Sequence, residues 1–294
     1  MSTPYTELLN IRDFIRFAAS QFNASGLFYG HGTDNAWDEA SALVLHTLHL
    51  PHDIPTAVLD ARLLPDEKSR LYQLIMQRVE KRIPLPYITH EAWFAGLSFY
   101  VDERVLIPRS SIAELIENEF EPWINPAEVV DILDLCTGSA CIAIACAKQF
   151  NEAHIDASDL SENALAVANI NVLRHKLENQ ITLYHSDLFI NLPKKQYDVI
   201  ICNPPYVDAE DMADLPPEYT HEPTVALAAG ADGLNIIKRI LSDAKKYLKP
   251  NGILIVEVGN SAAALAAQFP ALNFTWLEFE RGDTGVFMLT ADQL

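Results

Sequence analysis

Val129-Val130-Asp131-Ile132-Leu133 runs on through Asp134-Leu135-Cys136-Thr137-Gly138-Ser139-Ala140 into a small, apolar stretch from Cys141 to Gln149. The short run of β-branched and aliphatic residues reads as a strand, and the longer apolar stretch as a helix. A glycine between a first strand and the helix after it lets the backbone approach a ligand closely. Gly138 is the only glycine in this turn, so by itself the segment is equally a plain strand-to-helix connection.

Downstream, the alternation continues. His154 to Ser158 reads as a strand, Ser161 caps a helix through Leu165, Val167, Ala168 and Leu173, and Ile181 to His185 is a strand again. Tyr197 to Cys202 is a further strand, Gly233 to Leu248 a helix, and Gly252 to Val258 a strand. Repeated strand–helix units predict an α/β, Rossmann-like parallel sheet with helices on both faces. Phe274 to Leu277 and Val286 to Leu289 close the chain with no long helix between them, so an antiparallel strand is expected at that edge.

Upstream, residues 1–92 read as a small helical domain. Leu8, Leu9, Ile11, Ile15 and Phe17 sit near helical spacing, and Asp34 is placed to cap a second helix through Leu48. Pro65-Asp66-Glu67 opens a third that ends before Pro84. Residues 93–106 change period around Gly96 and predict a β-hairpin joining the helical domain to an α/β domain over 107–294.

Composition narrows the classes. Hydrophobic residues make up 49% of 294, enough for one large or two modest cores. The formal charge is −19, with both halves acidic and no basic stripe. An enzyme gripping a nucleic-acid backbone needs such a stripe, so no direct nucleic-acid binding is expected; the same field favours a basic partner. Cys136, Cys141, Cys146 and Cys202 fit neither a disulfide framework nor a zinc signature and read as free thiols in a reducing compartment. His46 and His49 have no evident third ligand, so no metal site is expected. No signal peptide and no apolar run of spanning length is found, which makes cytoplasmic the expectation and leaves no membrane partner. The oligomeric state is not legible.

Asp159 and Asp187 end the next two strands after Asp134. Each alone is as readily a turn residue, but three acids at successive strand ends form one constellation at the edge where α/β sheets bind ligands. Asp159 is placed to accept from ribose hydroxyls and Asp187 from an adenine amino group. The fourth strand runs into Asn203-Pro204-Pro205-Tyr206. Two prolines stiffen this segment, so that the Asn203 side-chain carbonyl and the Pro204 backbone carbonyl can fix both hydrogens of a planar –NH2 group. Tyr206 offers that group a flat face. The motif does not choose between an amide and an adenine.

With these segments in place, the chain resembles the bacterial protein N(5)-glutamine methyltransferases of the HemK/Prm type. Val105-Leu106-Ile107-Pro108-Arg109, Asp134 to Cys141, Asn203 to Tyr206, His221-Glu222-Pro223 and Gly230-Ala231-Asp232-Gly233-Leu234 carry the resemblance, which covers nearly the whole chain. Tyr29-Gly30-His31-Gly32-Thr33-Asp34-Asn35 and Leu135-Cys136-Thr137-Gly138 look most like the branch acting on the third large-subunit (50S) ribosomal protein. The resemblance implies a seven-stranded sheet, an N-terminal domain that recognises the protein substrate, and S-adenosyl-L-methionine as cofactor. It implies that Asp134, Cys136, Thr137, Gly138, Ser139, Ala140, Asp159, Leu160, Asp187, Leu188 and Asn203 hold the cofactor. It implies that Asn203, Pro204, Pro205 and Tyr206 bind the glutamine amide, with Asn203, Pro204 and Tyr206 catalytic. Cys136 and Ala140 depart from the family's usual glycines, and Ala140 places a methyl group where backbone is expected to approach the cofactor.

No Lys or Arg occurs between Lys195 and Lys238, while Asp208, Glu210, Asp211, Asp214, Glu218 and Glu222 do, so an acidic rim suited to a basic ribosomal protein is expected there. Three other readings stay open: methylation of release factors, adenine-amino DNA methylation, and a non-catalytic ribosome-assembly clamp resting on Ala140.

Overall fold

The computed structural model describes residues 5–280 and 284–294. The chain divides into two units, one of residues up to Glu91 together with Pro216–His221, the other of Ala92–Leu215 with Glu222–Leu294.

In the first unit four helices, α1 (Ile11–Ala24), α2 (Ala36–Thr47), α3 (Pro65–Lys81) and α4 (Leu85–Thr89), pack around Phe14, Phe22, Leu43, Leu71 and Ile75. Asn35, not the expected Asp34, caps α2: its side-chain oxygen accepts from the Asp38 amide at 2.9 Å. Pro216–His221 returns to this unit and brings in Glu218, fully buried, whose carboxylate accepts from the Phe28 amide and pairs with Arg78 and Arg82. These partners hold Glu218 below the ordinary carboxylate range despite its burial.

The second unit opens with the hairpin β1 (Ala92–Phe94) and β2 (Leu97–Phe99), then α5 (Ile112–Glu117). The hairpin is shorter than the sequence suggested and belongs to this unit, because Phe94 and Phe99 bury into its core. There follow β3 (Asp131–Leu135), α6 (Cys141–Gln149), β4 (His154–Asp159), α7 (Glu162–His175), β5 (Ile181–His185), β6 (Tyr197–Cys202) and α8 (Ala209–Asp214). The unit ends with α9 (Asn235–Tyr247), β7 (Leu248–Glu257), α10 (Ala262–Gln268), β8 (Thr275–Leu277) and β9 (Val286–Thr290). Seven of these strands form one sheet in the order β5-β4-β3-β6-β7-β9-β8, parallel except that β9 runs antiparallel to both β7 and β8.

Successive strand residues point to opposite faces, so each strand feeds two cores. Ile132, Ile155, Val199, Ile201 and Ile253 face one side, with the alanine-rich helix α6. Leu133, Leu135, Ile200, Cys202 and Leu254 face the other, with Ile237 and Ile240 of α9. This two-sided burial explains the near-continuous apolar runs in the sequence. β3 begins two residues later than expected, because the amides of Val130 and Asp131 are taken by the Asp198 carboxylate at 2.9 Å each. Among the described residues no helix is long and apolar enough to cross a membrane.

Candidate active site

Chain order reverses beside β3: β4 and β5 are laid down on one side of it, β6 and β7 on the other. The loops leaving the carboxyl ends of β3 and β6 therefore diverge, and a crevice opens there. Its cleft takes in about 1080 Å³ of atom-free space, open solvent at the mouth included. Cys136, Thr137, Gly138 and Ser139 line it from the β3 loop, Asp159 and Leu160 from the β4 end, Asp187 and Leu188 after β5, and Asn203 and Pro205 after β6.

Four of the residues expected at the site do not themselves line the cleft. Asp134 is an interior residue of β3, fully buried, and is held from below the loop: Thr137 Oγ1 and the Ala143 amide donate to its Oδ2. Burial pushes its carboxyl up to about 7. Ala140 is also fully buried, and its methyl group sits in the apolar core rather than the cleft. Pro204 is buried, and Tyr206, half-buried, follows the two lining residues Asn203 and Pro205 in the chain.

The two departures from glycine now have a physical reading. Cys136 has φ +58° and Ala140 φ +64°, both left-handed, the conformation glycine adopts without strain. Each costs on the order of 1 kcal/mol in a residue with a side chain. Gly138, between them at φ +56°, is different: a Cβ added there meets nothing within 4 Å, so the space above this backbone is open.

Asp159 laces the edge together. Its Oδ2 accepts from the Gly138 amide at 2.9 Å and its Oδ1 from the Ser161 amide at 2.8 Å, while burial raises its pKa against these hydrogen bonds. Asp187 is paired with Arg239 of α9 at 2.9 Å.

Two buried carboxylates, Glu222 and Glu257, tie down residues of the cleft wall. Arg109 grips Glu222 with both nitrogens, at 2.6 and 2.8 Å, and the Ile107 amide donates to the same carboxylate at 3.0 Å. Residues on both sides of this clamp, Leu106, Pro108, Pro223, Val225 and Ala226, line the cleft. Glu257, at the end of β7, accepts from the Tyr206 hydroxyl at 2.9 Å and from Ser110 Oγ. In sequence it reads only as the end of an apolar strand.

The acidic rim is smaller than expected. Glu218 and Glu222 are buried and committed to arginines, leaving Asp208, Glu210, Asp211 and Asp214 around α8. Asp208 caps that helix, accepting from the amides of Glu210 and Asp211.

The model of the methyltransferase small domain matches residues 122–216. A ribosomal protein uL3 glutamine methyltransferase of Neisseria meningitidis serogroup B is 53% identical over 289 residues, covering 98% of this chain and 95% of that protein. One from Francisella tularensis subsp. tularensis is 50% identical over 288 residues, covering 98% and 92%. Among solved structures, the hMettl16 catalytic domain in complex with a 3'UTR hairpin superposes with a TM-score of 0.53 at 20% identity, covering 81% of this chain and 86% of that one, a likeness of fold alone. The two relatives, at 50% and 53% identity over 98% of this chain, define the class, a methyltransferase, and the matching domain accords with it. Within that class, the chain belongs to the family of ribosomal protein uL3 glutamine methyltransferases.

Proposed function

We propose that the protein methylates the side-chain amide nitrogen of a glutamine in ribosomal protein uL3, using S-adenosyl-L-methionine held in the cleft. The observation that carries this reading is the position of Asn203: it leaves the end of β6 and lines the same cleft as the Gly138 turn.

The cofactor fits the residues present. Open space over the left-handed Gly138 backbone, carboxylates at Asp159 and Asp187, and apolar flanks at Leu160 and Leu188 suit the polar tail, ribose and base of a nucleoside sulfonium. When bound, it supplies an electrophilic methyl group. The remaining work falls to the acceptor motif. An amide nitrogen is a poor nucleophile because its lone pair is delocalised into the carbonyl. The Asn203 side-chain carbonyl and the Pro204 backbone carbonyl accept hydrogen bonds from its two N–H groups, which return density to the nitrogen and fix its plane; as the nitrogen takes the methyl group from sulfur, it gives up one of these protons along its hydrogen bond to solvent. Holding the reacting atoms at near-attack distance contributes several kcal/mol, on the order of the effective-molarity gains known for oriented reactants.

The helical unit is the element that recognises the protein substrate, and Asp208, Glu210, Asp211 and Asp214 favour a basic one. Adenine in DNA meets the same motif chemistry but is disfavoured by a charge of −19 and this rim. The clamp reading rested on Ala140, whose methyl group is buried away from the cleft. Labelled cofactor, offered together with newly made large-subunit proteins and release factors, tests the reading. Label should enter uL3; label on release factors alone would move the protein to the other branch.

A further inference from the structure

Tyr206 is fixed at both ends. Its hydroxyl donates to Glu257 Oε1 at 2.9 Å, and its backbone carbonyl accepts from Ser261 Oγ at 3.1 Å. Its ring lies against Gly259, where an added Cβ would fall 2.6 Å from Cε2. Its carbonyl lies against Gly233, where an added Cβ would fall 2.4 Å away. Glu257 itself is buried, and its second oxygen accepts from Ser110, a residue of the cleft wall.

A buried carboxylate is a costly way to fill space; an apolar pair of the same volume would serve stability as well or better. A charge-assisted hydrogen bond instead sets one ring orientation and one distance. We propose that Glu257 is a positioning residue for the acceptor site: it holds the Tyr206 ring in the orientation that receives the planar amide and, through Ser110, ties that ring to the cleft wall. This rests on the reading of Asn203 to Tyr206 as the amide site.

The test is a cycle of Tyr206→Phe, Glu257→Ala and the double variant, with Glu257→Gln and Asn203→Ala alongside. Each is assayed for methyl transfer to uL3 and for cofactor affinity by calorimetry. Tyr206→Phe and Glu257→Ala should each lower kcat/KM by about tenfold, the scale of a small misplacement at a reacting centre. Cofactor affinity should stay within about twofold, and the double variant should be no worse than the worse single, since both changes break the same Tyr206–Glu257 hydrogen bond. Glu257→Gln still accepts from the Tyr206 hydroxyl and should recover most of the activity. Multiplicative losses in the double variant, or a loss of cofactor affinity matching the loss of rate, would overturn the proposal. Should Glu257→Ala fail to fold, Tyr206→Phe decides alone, because it keeps the ring: unchanged kcat/KM would refute positioning through the hydroxyl. Asn203→Ala separates the two claims. If it turns over normally, the amide-site reading fails; if it is inactive while the cycle is multiplicative, only the role of Glu257 fails.

Discussion

Removing Arg109 should unlock the cleft wall, and the size of the effect follows from its partner. The Glu222 side chain is completely buried and accepts both guanidinium nitrogens and the Ile107 amide, while the Arg109 side chain is 25% exposed. Deleting one member of a buried pair strands the other charge, at a cost of about 3–5 kcal/mol. Partial exposure of Arg109 places Arg109→Met near the lower end, about 3 kcal/mol. For a unit of roughly 200 residues this lowers Tm by roughly 6–12 °C. Glu222→Gln keeps the shape and loses the charge, and the double variant no longer strands an anion. The cycle of the three variants should therefore show a coupling of about 2 kcal/mol. Thermal denaturation with circular dichroism gives the three Tm values, and calorimetry gives cofactor affinity, which should fall because residues flanking the clamp line the cleft. A Tm for Arg109→Met within about 1 °C of the parent, or additive effects in the cycle, would refute the argument.

Three further outcomes follow. Gly259→Ala puts a Cβ on a left-handed residue and against the Tyr206 ring, so turnover should fall by about tenfold or more with cofactor affinity retained; normal turnover would show that the ring position does not matter. Asp159→Ala removes acceptors for Gly138 and Ser161 and the proposed ribose partner, and should raise the cofactor Kd by about tenfold or more, read by calorimetry; an unchanged Kd would place the cofactor elsewhere. Burial raises the Asp134 carboxyl to about 7, above its unfolded value near 4, so the unfolded chain gives up this proton first. That contribution to stability is complete below about pH 4 and is lost as pH rises to about 7, so Asp134→Asn should gain Tm relative to the parent between about pH 5 and about pH 8. Parallel pH profiles for the two proteins would contradict it.

What was legible in the sequence was what is local. Tyr197–Cys202 was readable to the residue because both of its faces are apolar, and Ser161 was readable as a cap because it accepts from an amide three positions on. Asp208 carries the same kind of signal for α8, but the surrounding acids Glu210, Asp211 and Asp214 mask it. The helix α10 was missed because Ala262–Gln268 is nearly uniform alanine and has no apolar stripe. Cys136 and Ala140 were visible as departures from glycine, but only the backbone shows that both positions are left-handed and that the alanine methyl group points into the core. Long-range partnerships were not legible. Nothing near Glu257 announces Tyr206 or Ser110, and nothing near Glu218 or Glu222 distinguishes these buried, arginine-bound carboxylates from the exposed acids of α8.

Methyl transfer onto a glutamine amide of uL3 at Asn203 leaves a product of defined mass and position. Tandem mass spectrometry of uL3 after incubation with S-adenosyl-L-methionine and either the parent protein or Asn203→Ala tests it most directly. One added methyl group, on a glutamine side-chain nitrogen, is expected with the parent and almost none with the variant, whose cofactor affinity stays near normal. A methyl group on another residue type, or full methylation by Asn203→Ala, would contradict it.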